Sequence, residues 1–311
     1  VPCKKNNYPN LIKHCPFESR VVTTDMETPS RSASSYSQLT DANPSPSSRS
    51  VLRLWRPAAQ RNLRNQWSKL LALRRSWDSV SASGRSHAVA LVNTFLSLKF
   101  LPSMEFGILN DMKGIREKAY GKLLKELEKF RVKLLSSYKE MVVIVSEMIN
   151  ESTCMRCYLK DESSPSRITF ENTVKDKNDP GDGGGIPVYA LMPILSHEEL
   201  AKEVVEMFVC ELNLKRLLVV EFLAVRCPEI KSTEIYWEKE LYEGEFRDLS
   251  RCLLCSEESS NLQVPRLIGM KHAGHSLKFE EQRERETFQV YLTSWLAEVN
   301  INCDRLNDVF T

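Results

Sequence analysis

Between Met112 and Met148 apolar residues recur at steps of three or four: Met112, Ile115, Ala119, Leu123, Leu127, Phe130, Leu134, Tyr138, Met141, Val145 and Met148. That repeat is one face of an α-helix. Lys118, Lys122, Lys125, Glu126, Lys129, Arg131 and Lys133 fall between them, so the opposite face is charged and solvated up to residue 133. Beyond it Met141-Val142-Val143-Ile144-Val145 is apolar nearly all round, which requires cover from several sides. At 1.5 Å per residue such a helix is roughly 55 Å long and needs partners along its length.

Upstream, Pro57 suits a first helical position. Leu63, Trp67, Leu70, Leu73, Trp77 and Val80 carry a helix to Ser83-Gly84, a C-terminal stop signal. Ala88, Leu91, Phe95, Leu98 and Leu101 carry a second one to Pro102. The short link at Gly84 predicts an antiparallel hairpin, with the long helix folding back along it. Downstream, Ser196 with Glu199 forms a capping-box pattern and Leu195 with Leu200 a hydrophobic staple, starting a helix that runs to Cys227-Pro228. Two more are predicted: about Thr233 to Cys255 through Trp237, Leu241, Phe246, Leu249 and Leu253, weakened at Gly244, and Glu280 to Val299 through Phe288, Tyr291 and Trp295. No strand pairing is visible.

The predicted fold is all-α: a helical hairpin plus a long helix, a flexible linker, then further helices forming an elongated bundle. Four regions follow. Residues 1–50 are a Ser/Pro-rich tail whose composition cannot offset the entropy of ordering. Residues 51–158 form a basic helical region, 159–195 a flexible linker rich in Gly and Asp, and 196–311 an acidic helical region. Residues 51–149 carry 18 Lys plus Arg against 8 Asp plus Glu, net +10, and residues 150–311 carry 19 against 29, net −10. The halves therefore attract each other, or the basic half meets an acidic partner such as ribosomal RNA.

No run of 18 apolar residues occurs in the 311, so no membrane span is expected. No secretory signal is visible, and nine cysteines without secretory features favour reduced thiols inside the cell.

Chemistry is sparse. Cys154-Met155-Arg156-Cys157 and Cys252-Leu253-Leu254-Cys255 are two CxxC pairs whose four thiolates would suit zinc. Ninety-odd residues separate them, however, and the second lies within a helical pattern, where cysteine behaves as a small hydrophobe. The glycines of Gly181-Asp182-Gly183-Gly184-Gly185 lead into Ile186-Pro187 rather than Lys-Ser/Thr and a helix, which argues against a P-loop. His14, His87, His197, His272 and His275 fall in tails, loops or helix starts, and no nucleophile, base and orienting group converge. The reading is nonenzymatic, with no cofactor. Tyr138, Met141, Val142 and Val145, where the long helix turns apolar on more than one side, are the interface candidates, with Val145 expected to be internal and Val142 nearer a partner.

Several stretches resemble the AIRIM family of ribosome maturation factors, named for interacting with an AAA ATPase. They are Gln66-Trp67-Ser68-Lys69-Leu70-Leu71, Phe100-Leu101-Pro102, Lys122 to Leu127, Tyr138-Lys139-Glu140-Met141-Val142, Glu199-Leu200 to Lys215-Arg216-Leu217-Leu218, and Trp237 upstream of Asp248-Leu249. The likeness covers about residues 60–256. The Ser/Pro tail, the Gly-rich stretch and the segment after Ser256 depart from the family. The resemblance implies a helical adaptor without activity of its own. Such an adaptor would pair with a second small helical protein and recruit the AAA ATPase that strips maturation factors from the pre-60S particle, in nucleus and cytoplasm. The alternative is a zinc-stabilised helical RNA-binding protein using the basic half and the two CxxC pairs.

Overall fold

The break expected at Gly84 does not occur. In the computed structural model, which describes residues 46–159, 168–169, 180–189, 191–225, 236–255, 262–269 and 285–310, one helix, α1, runs unbroken through Pro46–Phe100. It begins inside the stretch taken as tail, so Pro46 to Ser50 are helical, while residues 1–45 lie outside the described part. Pro57 sits inside α1 rather than at its start and forgoes one backbone hydrogen bond there.

Gly84 has a distant cause. The indole of Trp295 lies against the backbone of α1 and its Nε1 donates to the Ser81 carbonyl at 3.0 Å. A Cβ on Gly84 would stand 2.7 Å from that ring. The glycine admits a close approach, where its local signal suggests a stop. Gly84→Ala should therefore lower stability: helix propensity gains about 1 kcal/mol, but overpacking against a buried ring costs about 1–3 kcal/mol. Thermal melting checks this, and adding Trp295→Phe should recover part of the loss; a melting point above wild type for Gly84→Ala alone would contradict the account.

The chain reverses through two short 3-10 segments, Leu101–Ser103 and Gly107–Asp111. Arg116 ties the turn together by donating to the carbonyls of Leu101 (3.2 Å), Pro102 and Met104 (3.1 Å), with its guanidinium over the Phe106 ring. Gly114, at φ +76°, then starts α2 (Ile115–Thr153). Met112, placed on the stripe by spacing, is outside the helix and exposed. Of the rest of the stripe Leu127 is fully enclosed, Phe130 is partly buried, and from Leu134 each member is fully enclosed.

α1 and α2 are antiparallel. Asn62 donates to the Cys154 and Met155 carbonyls at 2.9 and 3.0 Å, Lys69 meets Glu151 at 2.9 Å, and His87 Nδ1 lies 3.2 Å from the Ser137 hydroxyl. The hairpin of this fold is thus α1 with α2.

The glycine-rich span is packed at Gly181 and Gly183, while Gly184 and Gly185 stand exposed. Tyr158–Leu159 (β1) pairs with Ile168–Thr169 (β2) in a two-residue antiparallel ladder. Residues 180–189 then form a strap across the start of α1. Gly181 and Gly183 both have positive φ, and their missing side chains leave room for the rings of Tyr158 and Trp55. Trp55, 1% exposed, donates from Nε1 to the Cys157 carbonyl at 2.8 Å, and Gln60 holds the buried Val188 through its carbonyl at 2.8 Å. A flexible linker over 159–195 is corrected to that extent; residues 160–167, 170–179 and 190 lie outside the described part.

α3 (Ile194–Leu223) is the most enclosed helix and packs on α2. It starts two residues before Ser196, with Pro193 at the N-cap and no side-chain cap bond, so the expected capping box does not set its start. Of the helix predicted from about Thr233 to Cys255, residues 233–235 lie outside the described part, and among 236–255 the helix is α4 (Glu245–Arg251), initiated by Gly244 at φ +82°. Leu253, expected on its buried stripe, has φ +60° and is 63% exposed. α5 (Arg285–Ala297) buries Phe288 and Trp295, but Val299 falls beyond it and is exposed. A last helix, α6 (Cys303–Phe310), was not expected. The described residues are all-α apart from the small ladder, and all belong to one unit, Ser45–Thr311.

Candidate functional site

Tyr138, Met141, Val142 and Val145 are 1% exposed or less, so none presents a surface to a partner. The turn before α4 and the residues after it cover this side of α2: the Tyr242 ring stands edge-on to Tyr138 at 6.3 Å, and Cys252 Sγ lies 3.5 Å from the Val142 carbonyl. The expectation that Val142 faces outward is corrected. Its neighbour Val143 does so instead, at 55% exposure.

Under that cover lies a polar network that the sequence hid. Arg216 and Glu245 are both fully buried. Arg216 Nε donates to Glu245 at 2.8 Å, and its other nitrogens donate to the carbonyls of Trp237 and Lys239, each at 2.9 Å. Glu245 also accepts from the Tyr138 hydroxyl at 2.7 Å and the Leu241 amide at 2.6 Å. Burial, and then the Glu245 charge, hold the Tyr138 phenol well above its ordinary range. The next residue along the helix, Lys215, points elsewhere. It lies 3.0 Å from Glu211, donates to the Trp295 carbonyl and sits over that indole. Burial pushes Glu211 up and Lys215 down, each opposed by its partner's charge. These groups are enclosed and ion-paired within the protein, an arrangement that fixes helix positions.

The four zinc candidates are not gathered into one site: no three His, Cys, Asp or Glu side chains among the described residues are grouped to hold a metal ion. Cys157 and Cys252 are buried, and Cys154 and Cys255 are half-buried. Burial pushes the Cys252 thiol up to about 12, away from the thiolate a metal requires. His14, His272 and His275 lie outside the described residues.

What the surface does offer is a cleft of about 520 Å³ where α1, α3 and α6 meet. Trp67 and His197 form walls, their ring centroids 6.4 Å apart; Phe310 stands edge-on to Trp67 at 5.7 Å, and Tyr189 edge-on to His197 at 6.2 Å. The Tyr189 hydroxyl is fixed by donating to the Gln60 carbonyl at 2.6 Å. His197 Nε2 is buried with no hydrogen-bond partner. Helical spacing marked Trp67 and Leu200 as core, and sequence alone could not show that α6 closes this end.

Burial lowers the pKa of His197 from its ordinary 6.5, and burial followed by Lys133 lowers that of His87. A depressed histidine contributes stability that is present above the unfolded value and lost as pH falls through the folded one. Stability should therefore decline on acidification below 6.5, and His197→Phe should flatten part of that decline in urea titrations at stepped pH. An unchanged slope would contradict the burial of this ring.

Two further surfaces are open. The hairpin turn exposes Met104, Ile108, Leu109 and Met112, with Ile108 at 90%. Along the first half of α2 that follows it, Lys118, Lys122, Lys125 and Lys133 stand exposed. Among the described residues no helix is long and apolar enough to cross a membrane. Comparison of the chain with protein-family models, curated proteins and solved structures gives no match.

Proposed function

We propose that this chain is a nonenzymatic helical adaptor in maturation of the large ribosomal subunit, acting with an AAA ATPase and a second small helical protein, in nucleus and cytoplasm. The resemblance to the AIRIM family motivates the reading. The observation that supports it best is the turn between α1 and α2, which exposes four large apolar side chains, Met104, Ile108, Leu109 and Met112, ahead of the exposed lysines of α2. Apolar side chains exposed at a turn and followed by charge suit a protein partner. Several stretches behind the resemblance do interior work: Gln66 is buried and donates to Asn62, Arg216 stacks on Trp237, and Leu249 is enclosed. They describe a scaffold, and the partner-facing surfaces lie beside them. The alternative built on zinc is not favoured, since the CxxC pairs do not form a joint site.

Affinity purification of the tagged chain at low salt tests this. An AAA ATPase and pre-60S proteins are expected, with their recovery reduced by Ile108→Asp together with Leu109→Asp. Recovery of neither class would overturn the proposal.

A further inference from the structure

We infer that the cleft between α1, α3 and α6 is a docking site for an acidic peptide segment of a partner protein, with a tryptophan or tyrosine as its anchor. The size fits: about 520 Å³ is within the range of pockets that enclose one aromatic group with its surroundings. The walls are aromatic edges and faces from Trp67, Tyr189 and Phe310, which favour a further ring. His197 lines the cleft, and its Nε2 is buried with no hydrogen-bond partner. Burial keeps the imidazole neutral near pH 7, and once a wall ring turns aside to uncover it that nitrogen can accept from an indole N–H or a phenol O–H. Binding such a donor removes the cost of leaving it unpaired.

The charges around the cleft select the rest of the ligand. Arg61, Arg64, Ser68, Leu71 and Arg75 follow one another at steps of three and four along α1 and so share one stripe. Arg64, Ser68 and Leu71 line the cleft, and Arg61 and Arg75 bracket it. All three arginines are exposed, and none of their guanidiniums is paired with a carboxylate among the described residues. The other charges of the cleft wall are Arg305, already bound to Glu203 through two 2.7 Å hydrogen bonds, and Asp308, beside Arg305. From Arg61 to Arg75 is about 21 Å along the helix axis. An extended peptide covers that in about six residues. A free small anion would meet one of these cations; a peptide with carboxylates on both sides of a central aromatic residue meets all three. The site does not depend on the chain's acting in ribosome maturation, and the test separates the two.

The experiment is fluorescence anisotropy on the full chain with a dye-labelled heptapeptide carrying a central tryptophan and three glutamates on each side. Saturable binding is expected. It should weaken about tenfold or more for the alanine-centred peptide, for the glutamine-for-glutamate peptide, and for the protein carrying Arg61→Glu, Arg64→Glu and Arg75→Glu together. His197→Phe, which keeps the ring and removes the acceptor, should weaken it several-fold with unchanged circular dichroism. Equal binding of the alanine-centred peptide would reduce the effect to charge attraction and overturn the site, as would equal binding by the triple arginine variant or no saturable binding at all. N-acetyltryptophan binding as tightly as the heptapeptide, or a ten-nucleotide oligouridine binding more tightly and losing affinity in the triple variant, would reassign the cleft and also overturn it.

Discussion

Replacing Glu245 by alanine should cost about 3–5 kcal/mol of stability, because it strands the fully buried Arg216 guanidinium without a counter-charge. The loss extends beyond one ion pair. Glu245 also accepts from Tyr138 and from the Leu241 amide, so three elements lose a common acceptor at once: α2, α3 and the turn before α4. Urea unfolding followed by circular dichroism reads the effect as a fall in midpoint. The double variant Arg216→Met with Glu245→Leu removes both charges and should be more stable than Glu245→Ala alone, since the desolvation cost disappears with the pair. Tyr138→Phe removes one hydrogen bond and should cost only about 1 kcal/mol. If Glu245→Ala unfolds within about 1 kcal/mol of wild type, Arg216 is not enclosed as described.

Val142→Asp and Val145→Asp should each abolish the isolated fold. Both residues are enclosed within the chain, at 1% and 0% exposure, so either substitution buries a carboxylate with no counter-ion and costs several kcal/mol. Val143→Asp, one position along and more than half exposed, should fold as wild type and serves as the control. Expression and thermal melting of the three variants decide the matter. A Val142→Asp protein with wild-type helicity that fails only in partner capture would restore the outward-facing reading of that residue.

The long stripe of α2 was legible because the physics behind it is local: steps of three or four on a helix place residues on one face whatever the rest of the chain does. The readings that failed depend on residues far away in sequence. Gly84 looks like a stop until Trp295 is laid across it. Gly181 and Gly183 look like slack until Tyr158 and Trp55 fill the space their side chains would occupy. Leu253 matches the spacing of its neighbours, yet α4 has ended two residues earlier and φ is positive there. Lys215 and Arg216 show the same limit for charge. Adjacent cations read as surface, and only the placement of Glu211 and Glu245 makes their burial affordable. The cleft was hidden for a related reason. Its aromatic walls come from three parts of the chain, and α6, which supplies Phe310, gave no expected helix of its own.

The continuity of α1 also has a mechanical meaning. The stripe through Ser68 lies on the uninterrupted helix whose end, at Phe100, leads into the turn, about 50 Å further along its axis. No joint lies between them to absorb displacement. α1 therefore acts as a strut of set length: whatever grips the turn and whatever occupies the cleft are held at a prescribed spacing, and a load applied at one end is delivered to the other with little slack.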